Sequence, residues 1–355
     1  MKTSTFLLLI LFLNLGYAQS PDNKRIIPSI LDTYKDSLKL KRFGIGALVR
    51  HDNITETYAI GIAGDSLEMT PDKVFNIGSL TKTFTSVLIM QEVEKGTISL
   101  SDSLVKYFPQ DMIKNDNVDL SITIEQLLRH RSGLGEVLID SIANSSLVNP
   151  HYEYNHVSFF NKIPKPLSLP GEKYEYNNSN YLLLGSVLEF VTNRSYHDLL
   201  RERIFEPAGM NNSYGYYSPS IKNAAHPMFE GVDYANYVFY NFYKDVAYSA
   251  GGIASTLKDL ELFFIHLYEK ELFIKKETLS QMLDTDSDYG LGISIFDRRK
   301  DLLLIGHDGD NFSFSTRNYY NTKTGDLVIT FSNLFVPPYL NKITNQLGTE
   351  IMYEE

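Results

Sequence analysis

The chain has 355 residues, 43% of them hydrophobic and 21% charged, which is typical of a folded globular protein rather than a disordered or membrane-embedded one. This length predicts one large α/β unit or a unit with an inserted subdomain. The formal net charge of -10 argues against a nucleic acid partner. The absence of cysteine excludes disulfides, thiol catalysis and cysteine-ligated zinc.

Residues 1–18 have the pattern of a secretory signal. Lys2 precedes an apolar run at 6–13, and the small residues at 16–18 favour cleavage after Ala18. The alternative is an uncleaved anchor, but the apolar run is too short to span the hydrocarbon core of a bilayer comfortably. We therefore expect a secreted protein, in a bacterial periplasm, whose mature chain has no membrane span.

The first hundred residues begin an α/β fold. Apolar spacing predicts, in chain order, a helix, two strands and a long second helix, at residues 28–40, 44–50, 57–64 and 79–94. His51-Asp52-Asn53 is expected to form the turn between the strands, and Gly96 to end the second helix.

The remaining chain divides into a helical middle and a sheet-forming end. Residues from about 100 to 240 are rich in helix and loop signals. The last third predicts four strands and a final helix, at residues 290–296, 301–306, 312–320, 326–332 and 340–353, with one of the turns at 297–299. Strands at both ends of the chain predict an α/β fold of the α+β type, in which helices flank an antiparallel β-sheet and a mostly helical subdomain is inserted.

Ser79 and Lys82 are the first candidate catalytic pair. Positions i and i+3 share one face of a helix, so a lysine of lowered pKa could take the proton of the serine hydroxyl. The same Ser-x-x-Lys spacing also occurs at Ser103 and at Ser255. Only Ser79 stands at the start of a long helix, where free N–H groups can stabilise an oxyanion.

Two later segments also carry polar groups suited to catalysis. Tyr176 could act as a base if nearby cations held it as a phenolate, and Asn178 could hydrogen-bond a substrate amide, although an ordinary turn with an Asn cap fits the same residues. His307 could supply positive charge or a hydrogen bond beside Gly309, which permits close backbone approach, although an isolated histidine is commonly structural. His130 is expected to be a structural hydrogen-bonding residue.

Taken in order, Ser79-Leu80-Thr81-Lys82, Tyr176-Asn177-Asn178 and His307-Asp308-Gly309 resemble the motifs of the serine β-lactamase and penicillin-binding-protein superfamily. The resemblance is strongest to class C β-lactamase-related hydrolases, which include D-alanyl-D-alanine carboxypeptidases, D-aminopeptidases and esterases. Further blocks resemble the same family, at residues 127–134, 170–185, 249–256 and 289–292.

This resemblance implies a role for each candidate. Ser79 would be acylated, Lys82 and Tyr176 would move its proton, and Asn178 would bind the substrate amide. His307 would stand where many relatives have a lysine. The backbone N–H groups of Ser79 and Asp310 would form the oxyanion hole.

Asp310 departs from the family pattern, in which a glycine often follows the third motif. Its carboxylate would repel carboxylate substrates if it pointed into the cleft, and strand alternation leaves both directions open. The predicted enzyme cleaves an amide or ester, such as a D-amino-acid peptide, an ester or a β-lactam, without a cofactor or metal. The alternative is a catalytically silent ligand-binding or sensor module that uses the same cleft.

Overall fold

The computed structural model describes residues 26–108, 112–138, 159–235, 242–285, 287–299 and 302–352. The predicted signal at residues 1–18 lies outside these ranges. Within them, no helix combines the length and the apolar character needed to cross a bilayer.

The helices of the described residues fall mainly between the two sheet-forming parts of the chain. In chain order they are α1 (Ile26–Leu31), α2 (Lys35–Lys41), α3 (Thr81–Glu94), α4 (Ile124–Leu128), α5 (Asn178–Thr192), α6 (Tyr196–Leu200), α7 (Glu206–Ala208), α8 (Tyr248–Gly251), α9 (Leu257–Tyr268), α10 (Lys276–Leu283) and α11 (Pro337–Met352). The helix predicted over 28–40 is therefore interrupted, because a 3₁₀ turn at Asp32–Tyr34 separates α1 from α2.

The strands of the large sheet come from both ends of the chain, as predicted. The described strands are β1 (Gly44–His51), β2 (Ile54–Gly64), β3 (Leu67–Glu68), β4 (Phe75–Asn76), β5 (Met228–Phe229), β6 (Val232–Asp233), β7 (Ala254–Ser255), β8 (Ser294–Arg299), β9 (Leu302–Gly306), β10 (Gly309–Asn311), β11 (Phe314–Asn321) and β12 (Leu327–Ser332). Three two-residue strands, β5 to β7, lie between the two ends. The predicted β1–β2 turn is confirmed, since Asp52 and Asn53 have φ angles of 50° and 62°, which a tight hairpin turn needs.

One large antiparallel sheet organises the molecule. Its order is β3-β2-β1-β12-β11-β9-β8, and β10 pairs with β11 beside this path. The first and last thirds of the chain meet where β1 pairs with β12, for example Leu48 opposite Ile329. The predicted fold class, an antiparallel sheet with flanking helices, is confirmed.

Helices cover both faces of this sheet. On one face α1 and α11 share a core that includes Ile27, Leu31 and Leu340. On the other face a larger core surrounds α3, whose residues from Thr81 to Met90 are all buried. Over these residues α3 is enclosed on every side, rather than buried along one apolar stripe as in a surface helix.

The predicted turn at 297–299 is wrong. Strand β8 continues through Arg299, which pairs with Leu302, while Gly292, with a φ of 78°, makes a turn just before the strand. Arg298 and Arg299 lie on an edge strand with exposed side chains, so their polarity imitates a turn in the sequence. The final helix also begins three residues earlier than predicted, at Pro337.

Candidate active site

Ser79 lies in a single 3₁₀ turn that leads into α3. Gly78 before it has a φ of 53°, a left-handed conformation that glycine adopts easily. A Cβ at Gly78 would stand 2.8 Å from the backbone nitrogen of Asp310, and one at Gly309 would stand 1.9 Å from the carbonyl oxygen of Ile77. The two glycines therefore allow β10 to pack directly against the turn, which brings the backbone of Asp310 beside Ser79.

Asn76 fixes the position of this turn. The two hydrogens of its Nδ2 are shared among the carbonyl oxygens of Gly251, Gly252 and Ile253, at 3.0, 3.1 and 2.9 Å. Its Oδ1 accepts from the backbone N–H of Gly78 at 3.1 Å. Since Asn76 is fully buried, these bonds form away from competing water and hold the strand before Ser79 against the end of α8 and the two residues after it.

Lys82 is fully buried and reaches three acceptors. Its Nζ lies 3.0 Å from Ser79 Oγ, 2.8 Å from Asn178 Oδ1 and 2.7 Å from the carbonyl oxygen of Ala250. Burial lowers the pKa of Lys82 to about 7, and the Glu136 carboxylate opposes that shift. A substantial fraction of the lysine is therefore neutral near neutral pH and able to accept the Ser79 proton.

Asn178 is held from both ends of its amide. Its Oδ1 accepts from Lys82, while its backbone N–H and its Nδ2 each donate to Glu136 Oε2 at 2.9 Å. The other carboxylate oxygen of Glu136 accepts from the backbone N–H of Leu138 at 2.7 Å. One Nδ2 hydrogen of Asn178 thus remains for the substrate amide that the sequence predicts it to bind.

Tyr176 lies over Lys82, with its ring centroid 5.0 Å from Nζ. The residue keeps 42% of its surface exposed, yet burial at its hydroxyl end raises its pKa well above the ordinary value, and a hydrogen bond with Ser79 opposes the shift. The expectation of a phenolate is not met, because burial favours the neutral phenol and Lys82, with a pKa of about 7, is only partly charged near neutral pH. A protonated Tyr176 can instead donate a proton.

His307 is buried and neutral. Its Nδ1 lies 2.6 Å from the carbonyl oxygen of Asp308, which can only accept, so Nδ1 carries the proton and Nε2 accepts from Tyr289 Oη at 2.9 Å. Burial, with a smaller effect of Lys82, lowers the pKa of His307 to about 3. The positive charge considered for His307 is therefore absent at neutral pH, and both ring nitrogens already have partners.

The Asp310 side chain points away from Ser79. Gly309 faces the 3₁₀ turn, and the next residue of the strand faces the opposite side. There the Asp310 carboxylate forms two hydrogen bonds with the Arg317 guanidinium, at 3.0 and 2.9 Å, and Arg317 also reaches Asn341 on α11. Asp310 can therefore offer its backbone to an oxyanion without placing a carboxylate in the cleft.

His130 connects the candidate residues from behind. Its Nδ1 lies 3.1 Å from the backbone nitrogen of Asn177 and 3.0 Å from Asn180 Nδ2, and its ring centroid lies 4.3 Å from that of Tyr176. Burial lowers its pKa well below the ordinary value. The expected structural role of His130 agrees with these contacts.

The two other Ser-x-x-Lys copies are built differently. Lys106 forms an ion pair with Asp102 at 2.7 Å, and its side chain is 53% exposed. Lys258 forms an ion pair with Glu261, and its side chain is 65% exposed. Neither lysine is desolvated, so neither is suited to act as a base toward its serine.

A family model described as Beta-lactamase matches residues 30–350. The chain belongs to the β-lactamase family. "Beta-lactamase-like protein 2" of Dictyostelium discoideum is 31% identical over 197 residues, which are 49% of this chain and 32% of that protein. The match thus spans about a third of that relative's length.

Solved structures of related fold cover nearly the whole chain. A D-stereospecific amidohydrolase from Streptomyces sp. aligns with a TM-score of 0.72 at 21% identity, covering 90% of this chain and 98% of that one. The D-amino acid amidase of Ochrobactrum anthropi SV3, with L-phenylalanine amide bound, aligns with a TM-score of 0.75 at 22% identity, covering 92% and 97%. These likenesses establish the β-lactamase fold, and the family model confirms the predicted membership of the β-lactamase-related family.

Sequence reasoning missed three residues of this β-lactamase-family site: Asn76, Glu136 and Tyr289. Asn76 precedes the Ser79 motif by three positions, so its place there was the only available signal. Glu136 and Tyr289 lie in irregular segments, and their partners Asn178 and His307 are distant in the chain. Among the described residues, no group of three or more His, Asp or Glu is arranged to hold a metal ion.

Proposed function

We propose that this protein is an exported hydrolase that cleaves an amide or ester bond through an acyl-serine intermediate on Ser79. The observation that carries the proposal is the position of Lys82: its Nζ is buried and lies 3.0 Å from Ser79 Oγ, and burial lowers the pKa of this lysine to about 7. A neutral amine at this distance is a competent general base for a hydroxyl nucleophile.

Acylation would proceed in two proton transfers. Ser79 Oγ attacks the substrate carbonyl carbon while its proton passes to Lys82 Nζ, and the carbonyl oxygen becomes an oxyanion. The backbone N–H groups of Ser79 and Asp310 are proposed to stabilise that oxyanion. The C–N or C–O bond then breaks, and the leaving group takes a proton from the Tyr176 hydroxyl, whose oxygen regains a proton from protonated Lys82.

Deacylation would use the same groups in reverse. A water molecule gives a proton to Lys82 and attacks the acyl carbon. The bond between Ser79 Oγ and the acyl carbon then breaks, Ser79 Oγ takes the proton back from Lys82, and the carboxylic acid is released. Asn178 would orient the acyl amide with its remaining Nδ2 hydrogen. The substrate class that we propose is the amide or ester of a small acyl group, including D-amino-acid amides, which structural neighbours are named for.

The proposed organisation of the chain follows the same reasoning. Residues 1–18 would be removed on export to a periplasm, and residues 19–355 would form one catalytic domain with a helical insert at about 100–240. Fractionation of a producing cell, with N-terminal sequencing of the recovered protein, tests export. A mature terminus at Gln19 is the expected result, and an intact Met1 terminus in the cytoplasm would contradict it.

Covalent labelling tests the chemistry. We expect a fluorophosphonate or a fluorescent penicillin to label the wild-type protein and to leave Ser79→Ala unlabelled, because only an activated serine reacts with such probes. Ser103→Ala and Ser255→Ala, the other copies of the spacing, are matched controls that should keep the label, provided that each folds. Equal labelling of wild type and Ser79→Ala by every probe would refute the acyl-serine mechanism.

A further inference from the structure

Few charged groups act on the rings around Ser79. Burial has the largest effect on the pKa values of Tyr176, His307 and Lys82; beyond it, the Glu136 carboxylate raises those of Tyr176 and Lys82, and Lys82 lowers that of His307. Further out, burial and the Asp288 carboxylate raise the pKa of Tyr174. Apart from Lys82, which is occupied by three acceptors, the charges that these groups experience are negative.

Cations that could bind a substrate carboxylate are absent from the described walls of the site. His307 is neutral, and both its nitrogens are used. Arg317 lies on the far side of β10, where Asp310 occupies its guanidinium. Near the outer rim, Arg129 and Arg298 each donate to a backbone carbonyl oxygen, at 3.0 and 2.6 Å.

A pocket of about 640 Å³ lies on the far side of the Tyr289 ring from Tyr176. Tyr289, whose ring centroid lies 6.2 Å from that of Tyr176, forms its inner wall. Tyr174 and Phe296 flank it, with 44% and 38% of their surfaces exposed. Because Tyr176 is the proton donor in the proposed reaction, a leaving group that extends past the Tyr176 ring would approach this pocket.

Asp288 gives the pocket its charge. It lines the pocket together with the three rings, is exposed, and forms no ion pair with another described residue. A carboxylate on the leaving group would therefore meet rings, hydroxyls and a like charge, and no Lys or Arg is among the described residues that line the pocket.

We propose that this leaving-group pocket selects amides and esters whose leaving group lacks a carboxylate, and that Asp288 enforces the selection. The inference rests on the proposed function for its assignment of the leaving-group side. It predicts weak recognition of peptides that end in a free carboxylate. Aromatic rings beside Asp288 would instead favour neutral or cationic leaving groups.

The test measures binding without turnover. N-acetyl-D-alanyl-D-alaninamide and N-acetyl-D-alanyl-D-alanine differ only in the terminal amide or carboxylate, and each is titrated calorimetrically into Ser79→Ala protein. We expect the amide to bind about tenfold more tightly. Adding Asp288→Asn should reduce that ratio about two- to fivefold, as expected for one partly solvated charge.

Asp284→Asn is the matched control, because it removes an equal charge four residues away, outside the leaving-group pocket. It should leave the ratio unchanged. The proposal is overturned if the carboxylate binds as tightly as the amide, if Asp288→Asn does not change the ratio, or if neither compound binds at millimolar concentration. Since Ser79 labelling is measured separately on wild type, failure of the pocket proposal and failure of the hydrolase proposal are distinguishable.

Discussion

Two buried cations stand on opposite sides of strand β10. Lys82 is fully buried, and its three hydrogen-bond partners are uncharged oxygen atoms. Arg317 is 2% exposed, and its guanidinium is paired with the carboxylates of Asp308 and Asp310. The two sites differ in what compensates the buried charge.

This difference explains why one cation is suited to catalysis and the other to structure. Without an adjacent carboxylate, burial lowers the pKa of Lys82 to about 7, so the amine exchanges its proton near neutral pH. Two carboxylates stabilise the charge of Arg317, which anchors β10 to α11 through Asn341. The strand thus has an inert ion pair behind it and a reactive amine in front.

The largest expected effect is on the reactive side. Lys82→Met should lower kcat/KM for a reporter ester about 10³-fold, because it removes the base that activates Ser79. Its free energy of unfolding should stay close to that of wild type, since an apolar chain replaces a buried amine. Lys106→Met and Lys258→Met, from the other two copies, should keep full activity. A comparable loss of activity in either control would show that the effect is not specific to Lys82.

Removing the Tyr176 hydroxyl should have the next largest effect. Tyr176→Phe should lower the acylation rate about 10²-fold for an alkyl amide, whose leaving group needs a proton. The loss should be much smaller for a nitrophenyl ester, whose leaving group departs without one. Rates on both substrates give the comparison, and equal losses would contradict the role of Tyr176 as proton donor.

On the structural side, Arg317→Met should mainly affect stability. Removing the buried guanidinium leaves the Asp308 and Asp310 carboxylates, whose side chains are 44% and 35% exposed, without their cation. Because solvent screens part of that loss, we expect a cost of about 1–2 kcal/mol of unfolding free energy. Urea titration followed by fluorescence or circular dichroism measures this cost. A variant as stable as wild type would show that the pair behind β10 does not hold the strand.

Glu136→Gln should produce the smallest change and act on proton affinity. The Glu136 carboxylate raises the pKa of Lys82, so its removal should move the acid limb of the pH–rate profile to lower pH. Glutamine still accepts from the Asn178 backbone, and the plateau rate should fall about fivefold for the weakened contact. If the acid limb of the pH–rate profile does not move while the plateau rate falls about fivefold, Glu136 has only a structural role.

Local features of this fold could be predicted from the sequence, and long-range ones could not. The Ser79–Lys82 contact follows from helix geometry, and the β1–β2 turn follows from the turn preference of Asp52 and Asn53. The neutral state of His307 depends on burial and on Tyr289, eighteen positions earlier. The sequence around His307 shows neither, so it left a positively charged histidine possible. The direction of Asp310 likewise depended on Arg317, which the sequence does not place.

The most direct test of the central claim is the pH dependence of Ser79 acylation. Single-turnover acylation by a reporter ester should rise with pH through a midpoint of about 7 and then level off, because only neutral Lys82 accepts the proton. The same limb should be missing from the residual reaction of Lys82→Met. A rate that stays flat well below neutral pH, or an acid limb that survives in Lys82→Met, would contradict the account.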